Sequence, residues 1–296
     1  MIVRVLAHAK INLYLDILGK QNGGYHDIVS FTQSVGLADE IKFGPGSEIS
    51  VVANCAIRPE ENLVKRTAEI FREEFGVRDG ATIELEKSIP IAAGLGGGSA
   101  DAAATLIGLN KIWALGLSRR ALAKIGERIG ADVPLCMLGG TLLAQGKGEK
   151  LTVLPDLPQT HVVIAKPPLE ILTKNAYASF DLEKIRSLSS PHGIFEALKK
   201  QDLKEVGKNL ANVFEKVFLK KFPEINRLKE VALEAGAVGT LMSGSGPSIF
   251  ALADSKSQAE KIFKALKQVC PRVILTKNHP RGVTEVSAQS GRTKRF

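Results

Sequence analysis

Residues 94–101 read Gly94-Leu95-Gly96-Gly97-Gly98-Ser99-Ala100-Asp101, and the alanine-rich stretch after them is a strong helix former. Four glycines within five positions lose much backbone entropy on folding, so ordinary packing does not explain them. A glycine loop that leads into a helix directs unpaired N–H groups and the positive end of the helix dipole toward one place. The stretch therefore predicts a phosphate-binding loop at the start of a helix.

Two common phosphate loops do not fit this stretch. A Walker A loop places a lysine after its last glycine, where this chain has Ser99. A dinucleotide-binding loop has a different glycine spacing and an acidic residue roughly 20 positions later, where this chain has the basic pair Arg119-Arg120. A flexible glycine linker is the remaining alternative. The apolar flank from Pro90 to Ala93 argues against a linker, because it is typical of a buried segment.

Three other motif blocks stand in order around the glycine loop. They read Ala9-Lys10-Ile11-Asn12-Leu13 with Gly24-Tyr25-His26, then Gly130-Ala131-Asp132-Val133-Pro134, and finally Met242-Ser243-Gly244-Ser245-Gly246-Pro247-Ser248. The stretch from Pro90 to Ala100 has the pattern P-x-x-x-G-L-G-[SG]-[SG]-S-A. Together these blocks resemble the motifs of the GHMP kinases, and the resemblance runs from about residue 7 to residue 253.

The resemblance implies an ATP-dependent, Mg²⁺-requiring kinase whose glycine loop holds the nucleotide. It assigns the following positions to ATP: Pro90, Ala92, Ala93, Gly94, Leu95, Gly96, Gly97, Gly98, Ser99 and Ala100. Ser99 has two interpretations, since its hydroxyl either caps the helix or reaches a metal-bound phosphate and so serves Mg²⁺. Asp101 is expected in the first turn of the helix, where its charge would interact favourably with the dipole.

Two charged residues stand in otherwise apolar surroundings. Lys10 lies in a strand-like segment, and Asp132 follows a predicted helix. By themselves they are compatible with a strand-edge lysine that extends to water and with a turn before a proline. The resemblance implies a catalytic pair: Asp132 accepts the proton of the substrate hydroxyl, while Lys10 keeps that carboxylate ionised and stabilises charge on the transferred phosphoryl group.

Four positions match the substrate side of the family pattern: Asn12, Tyr25, His26 and Tyr177. The resemblance implies a small-molecule substrate that carries a cytidine diphosphate group. His26 would bind the edge of the base, Tyr25 and Tyr177 would stack on it, and Asn12 would bind substrate hydroxyls. By residues alone, a pair such as Tyr25-His26 is more often a half-buried surface pair. The nearest alternative is a kinase of the same family for another alcohol, such as mevalonate or homoserine.

The composition, with 44% hydrophobic and 24% charged residues, is that of a soluble globular protein. Its three widely spaced cysteines predict reduced thiols. We expect a cytoplasmic monomer or homodimer without a membrane partner, because no signal-peptide or membrane-span pattern is present. The net charge is +9, and the basic excess lies beyond residue 155. A nucleic-acid-binding module is therefore an alternative, although the lysines lack the interleaved aromatics of single-strand binders, so no nucleic acid is expected.

The alternation of apolar and polar residues predicts strands over residues 2–5 and 12–17, and Ser118 predicts a helix cap. Strands mixed with amphipathic helices indicate an α+β fold. The resemblance implies two domains, one like domain 2 of ribosomal protein S5 and one ferredoxin-like. We place them at 1–155 and 156–280, because two prolines lie at 155 and 158. A basic, flexible tail is expected over 281–296.

Overall fold

One long strand, β1 (Val3–Lys20), joins the two halves of the molecule. The computed structural model describes residues 1–20, 26–58, 62–171, 176, 188 and 190–286. Residues 7–17 of β1 are all buried, although polar and apolar residues alternate there, because both faces of this part of the strand are covered. The two short strands predicted over residues 2–5 and 12–17 are therefore one strand, with a register shift between His8 and Lys10 and another between Asn12 and Tyr14.

The larger sheet is built mainly by the first half of the chain. Its further strands are β2 (His26–Gly46), β3 (Ile49–Ala53), β4 (Gly80–Glu86), β5 (Thr141–Gly146), β6 (Lys150–Val153), β8 (Ala211–Asn212) and β12 (Val283–Val286). The strand order is β12-β1-β2-β4-β3, with β5 and β6 beside β2, and with β8 beside β1. Most pairs are antiparallel, whereas β3 runs parallel to β4 and β8 runs parallel to β1.

Helices cover this sheet, and the most buried of them follows the glycine loop. They are α1 (Leu63–Glu74), α2 (Gly97–Ile112), α3 (Arg119–Ile129) and α4 (Val133–Leu138). Ser118 caps α3 by accepting from the N–H of Ala121, which confirms that prediction. In α2, Gly108 lies so close to Phe43 that an added methyl group would stand 2.3 Å from the ring. The helix and the sheet are therefore in direct contact at this point.

The smaller sheet belongs to the second half of the chain. Its strands are β7 (His161–Lys166), β9 (Gly239–Met242), β10 (Ile249–Ala253) and β11 (Arg272–Lys277), in the order β11-β7-β10-β9 with antiparallel pairs. The helices of this half are α5 (His192–Lys199), α6 (Leu203–Lys208), α7 (Glu215–Lys221), α8 (Pro223–Glu234) and α9 (Lys256–Lys267). This strand order with intervening helices is ferredoxin-like, and the α+β prediction is confirmed. Among the described helices, none has the length and apolar content to cross a bilayer.

Two strands from the second half of the chain return to the first sheet. β8 pairs with β1 at Tyr14 and Leu15, and β12 pairs with β1 from Arg4 to Ala7. The predicted tail from residue 281 is wrong over 283–286, because Val283 is fully buried and this segment is a sheet strand. Residues 287–296 lie outside the described ranges. A boundary between the two halves at 155/156 remains a proposal.

Candidate active site

The glycine loop turns sharply before α2 begins at Gly97. Gly94 and Gly96 have positive φ angles of 74° and 69°, in the left-handed region that favours glycine. Gly96 is the N-cap residue, and no side chain caps the helix. The capping interpretation of Ser99 is therefore wrong, since Ser99 is the third residue of the helix. The first N–H groups of α2 remain available for a ligand.

Three of the sequence motifs meet at the glycine loop. The backbone N–H of Lys10 donates to the carbonyl of Leu95 at 2.9 Å, and the hydroxyl of Ser243 donates to the carbonyl of Gly94 at 3.0 Å. A methyl group on Gly94 would lie 2.1 Å from the Ser243 carbonyl oxygen. On Gly244 it would lie 3.4 Å from the ammonium of Lys10. Segments far apart in sequence thus pack so closely that only glycine fits at Gly94.

Lys10 and Asp132 face each other at this junction. The Lys10 Nζ atom lies 3.7 Å from Asp132 Oδ2, and the side chains are 8% and 43% exposed. Asp132 is the N-cap residue of α4, but its carboxylate makes no capping hydrogen bond. That carboxylate is thus held at the end of a helix and open to the cavity. The pair combines a buried cation with an accessible carboxylate.

A short chain of hydrogen bonds holds the Lys10 ammonium in place. Lys10 Nζ donates to Asn12 Oδ1 at 2.7 Å, and Asn12 Nδ2 donates to the Ser30 hydroxyl at 2.9 Å. Ser30 in turn donates to the backbone carbonyl of Tyr14 at 2.9 Å. Because each member is buried and bonded, the position of the ammonium is well defined. Asn12 thereby contacts Lys10 directly, a contact that its position in the motif did not predict.

A cavity of about 1010 Å³ contains all of these groups. Its wall includes Lys10, Asn12, His26, Asp132 and the loop positions Pro90, Ala92, Ala93, Gly94, Leu95, Gly96, Gly97, Gly98 and Ser99. Ala100 is different, because its side chain is buried in the core and its N–H donates to the carbonyl of Gly96 at 2.9 Å. Ala100 thus lies behind the loop, and its contact with ATP remains a prediction.

Two parts of the cavity wall differ in chemistry. Beyond the glycine loop, Ile57, Leu63 and Val64 form an apolar wall beside Asn62. A methyl group on Gly98 would lie 3.3 Å from Leu63, so this wall adjoins the loop. The charged pair adjoins another loop position, since a methyl group on Gly96 would lie 3.0 Å from Cγ of Lys10. A nucleotide whose phosphates lie on the loop would have its base on the apolar side and its terminal phosphate near the charged pair.

His26 lies on the wall of the cavity at the start of β2, opposite Lys20 in the register of β1 and β2. Partial burial, and then the charge of Lys20, lowers the pKa of His26, so the neutral imidazole is favoured at pH 7. A neutral imidazole offers one donor and one acceptor nitrogen. The two aromatic residues predicted to stack on the base, Tyr25 and Tyr177, lie outside the described residues.

Three charged residues meet at the base of the loop, and two of them, Lys87 and Asp39, belong to no motif. Lys87 Nζ donates to Asp39 at 2.5 Å and to Asp101 at 2.6 Å. Asp101 stands beyond the first turn of α2, so the predicted interaction with the helix dipole is wrong and an ion pair replaces it. A lysine at the end of an alternating strand gives no local signal. Only the tertiary fold brings it to Asp101.

The described residues contain no group of three or more His, Cys, Asp or Glu side chains that could hold a metal ion. The carboxylate of Asp132 and the hydroxyl of Ser99 are oxygen donors on the cavity wall. Mg²⁺ usually keeps several waters and binds through one or two carboxylates together with substrate phosphates. This sparse set of oxygen donors fits an ion that arrives with a nucleotide.

Comparisons with known proteins agree with this geometry. A family model described as GHMP kinases N terminal domain matches residues 62–140, and GHMP kinases C terminal matches residues 194–272. A 4-diphosphocytidyl-2-C-methyl-D-erythritol kinase from Lachnoclostridium phytofermentans is 43% identical over 270 residues, which cover 90% of this chain and 93% of the relative.

Solved structures show the same relationship. A crystal structure of 4-(cytidine 5'-diphospho)-2C-methyl-D-erythritol kinase superposes with a TM-score of 0.79 and 31% identity, covering 93% of this chain and 98% of the other. A homoserine kinase from Cytophaga hutchinsonii gives a TM-score of 0.76 at 22% identity, with 96% and 97% of the two chains covered, and shows the fold alone.

The two sheets, the loop and the charged pair define a kinase of the GHMP class, which uses ATP. Within that class, the chain belongs to the 4-diphosphocytidyl-2-C-methyl-D-erythritol kinase family.

Proposed function

We propose that this protein transfers the γ-phosphoryl group of ATP to the 2-hydroxyl of 4-diphosphocytidyl-2-C-methyl-D-erythritol. This reaction belongs to the non-mevalonate route to isoprenoid precursors. The observation that carries the proposal is the Lys10–Asp132 pair, 3.7 Å apart and inside the same cavity as the glycine loop. Membership of the family supports the identity of the acceptor.

The glycine loop binds the ATP phosphates through the unpaired N–H groups at the start of α2 and through the helix dipole. With the phosphates there, the apolar wall of Ile57, Leu63 and Val64 receives the adenine base, and Asn62 lies beside it. The γ-phosphate then points toward Lys10 and Asp132. This orientation follows from the loop neighbours of the two groups, because Leu63 lies beside Gly98 and Lys10 lies beside Gly96.

Asp132 acts as the general base for the acceptor hydroxyl. A carboxylate is a much weaker base than an alkoxide, so the proton moves late, as the phosphoryl group reaches the oxygen. Lys10 offsets the negative charge that develops on the transferred group. Because Asn12 and Ser30 fix the ammonium in advance, little reorganisation is needed when the reaction occurs.

Ser99 is the residue that would hold Mg²⁺ together with the nucleotide phosphates. The bound ion would neutralise phosphate charge and orient the γ-phosphoryl group. His26 would bind the edge of the cytosine base, and Asn12 would bind substrate hydroxyls. Stacking of the base by Tyr25 and Tyr177, a cytoplasmic location, a monomeric or homodimeric state and the lack of a nucleic-acid partner remain predictions.

A turnover assay with a panel of alcohols tests the proposed function. Purified protein with ATP and Mg²⁺ is given the cytidyl substrate, mevalonate or homoserine, and formation of ADP is measured. We expect turnover with the cytidyl substrate alone. Turnover with mevalonate or homoserine instead would contradict the assignment of Tyr25 and His26 to a cytosine base, while leaving a kinase of the same class. Folded protein that turns over none of them would contradict the proposed function.

A further inference from the structure

Three charged side chains are buried beneath the glycine loop. Lys87 is 8% exposed, Asp101 is 5% exposed and Asp39 is completely buried. The reaction described above uses none of them. Buried ion pairs are weak evidence for stability, because the cost of desolvation often equals the gain in attraction, so another reason for their presence is required.

The two carboxylates belong to different parts of the fold. Asp39, on β2, accepts from the backbone N–H groups of Ser88 and Ile89 at 2.6 and 2.8 Å and from Lys87 at 2.5 Å. It thereby fixes the segment that enters the glycine loop. Asp101, on α2, lies after the loop and bonds to the same ammonium at 2.6 Å. One ammonium therefore connects the two ends of the loop.

The loop between these ends has an unfavourable backbone conformation. Ala92, a non-glycine residue, has a φ angle of 49°, and Gly94 and Gly96 also have positive φ angles. Such conformations persist only where the surroundings enforce them. The ammonium of Lys87 would lie 3.3 Å from a methyl group on Gly97, directly beneath the first residue of α2. The ammonium is thus positioned to hold the backbone where α2 begins.

Asp101 is less completely bonded than Asp39. Its Oδ1 atom is buried and, among the described residues, has no hydrogen-bond partner, while the residue lines the ATP cavity. A buried acceptor without a partner costs stability. A carboxylate retained only for stability would therefore have partners for both of its oxygens. This arrangement favours a role in the site over a role in folding.

We propose that Lys87 is a positioning residue, which ties Asp39 to Asp101 across the base of the glycine loop and holds the loop in its binding conformation before ATP arrives. The benefit to the enzyme is preorganisation: the loop N–H groups are already directed at the phosphates, so less ordering is needed on binding. The proposal rests on the proposed function only in taking ATP as the ligand of the loop.

The double variant Lys87→Met/Asp101→Leu tests this role. It removes the bridge and leaves no unpaired charge on α2, while Asp39 keeps its two backbone donors. Hydrogen exchange over residues 94–101 is measured without ATP, and ATP binding is measured by calorimetry. Thr105→Val is the matched control, because it removes a buried hydrogen bond from the same helix, that of the Thr105 hydroxyl to the Asp101 carbonyl at 2.7 Å.

We expect exchange over residues 94–101 to become about ten-fold faster in the double variant, with ATP binding about ten-fold weaker, the loss that goes with a charge-assisted contact. Exchange in β9 and β10 should not change, and the control should show neither effect. If loop exchange is unchanged while ATP binding weakens, the two replaced side chains act only through direct contact with ATP. That result would overturn the proposal. Faster exchange throughout the protein would also overturn it.

Failure of the proposed function gives a different result. A wild-type protein that binds no ATP would contradict the proposed function, whereas the loop exchange measured without ATP would still decide whether Lys87 holds the loop.

Discussion

Lys10 combines two features at the scale of single residues: deep burial and direct contact with the groups that define the reaction. Its ammonium bonds to Asn12 at 2.7 Å and lies 3.7 Å from Asp132. A lysine within an apolar strand is costly to bury without partners. The two oxygen partners therefore explain why the chain keeps a charge there.

Replacing Lys10 by methionine tests its part in catalysis. Methionine keeps the length of the side chain and removes the charge, so kcat should fall by about 10²-fold or more, as when one preorganised electrostatic donor is lost. ATP turnover is measured alongside ATP binding and thermal unfolding. A folded Lys10→Met protein with kcat within a few-fold of the wild type would contradict the proposed role.

Gly94 should tolerate no side chain. Its φ angle is 74°, and an added methyl group would lie 2.1 Å from the backbone oxygen of Ser243. Gly94→Ala should therefore lower the free energy of unfolding by about 1–3 kcal/mol and abolish ATP binding. Gly76→Ala is the control, since its φ angle is 59° but nothing lies within 4 Å. Equal effects at the two positions would show that backbone strain alone is responsible.

The elements around the site could be predicted to different degrees. The glycine loop and α2 give strong local signals, and Ser118 marks the start of α3. The capping of α2 by Gly96 could not be predicted, because it depends on a left-handed φ angle that the neighbours of the loop impose. The strand β12 was missed for a similar reason: its four residues form a strand only because β1 offers a free edge.

The contact between α2 and β2 gives a prediction at the scale of elements. Gly108→Ala improves the intrinsic helix propensity, but the methyl group would stand 2.3 Å from the ring of Phe43. We expect the cost of overpacking to exceed the gain in helix propensity. The free energy of unfolding should therefore fall by about 1–3 kcal/mol, as measured by denaturant titration. Gly19→Ala, where nothing lies within 4 Å, is the control. A more stable Gly108→Ala protein would contradict this packing.

The attachment of β12 should depend on pH. His8 stacks on His279 at 3.8 Å and is bonded to Thr284 of β12 at 3.0 Å. Burial first, and then the His279 charge, lowers the pKa of His8 to about 4 from 6.5. Because the folded state disfavours the protonated form, stability is full above pH 6.5 and is lost as the pH falls toward 4.

From pH 7 to pH 5 this linkage should remove about 2 kcal/mol of unfolding free energy. Urea titrations at both pH values measure the loss, and His8→Asn, which cannot be protonated, should reduce it by about that amount. The same pH dependence in the variant would show that other groups are responsible.

At the scale of the whole molecule, the site lies where the two halves meet. The first half contributes the glycine loop, and the second contributes Ser243 and Gly244. Ile11 and Leu13 of β1 share one buried cluster with Val162, Ile164 and Phe250 of the smaller sheet. The motif order and the fold class could be predicted from sequence. The sharing of β1 could not, because it depends on pairings between residues about 200 and about 280 positions apart in sequence.

This shared core predicts that the two halves unfold together. Thermal unfolding should show one transition, and ATP at 100 times its dissociation constant should stabilise the protein by about 2.7 kcal/mol. Hydrogen exchange should slow both in the glycine loop and around Ser243 when ATP binds. Two separate transitions, or protection confined to the first half, would contradict a site built by both halves.

The central claim is that Asp132 accepts the proton of the substrate hydroxyl. Its most direct test is a single-turnover measurement with Asp132→Asn, in which ATP and the cytidyl substrate are bound first and phosphoryl transfer is then followed. Asparagine has nearly the same shape and cannot act as a base, so the transfer rate should fall by about 10²–10⁴-fold while both ligands still bind. Transfer at the wild-type rate from the complete complex would show that another group removes the proton.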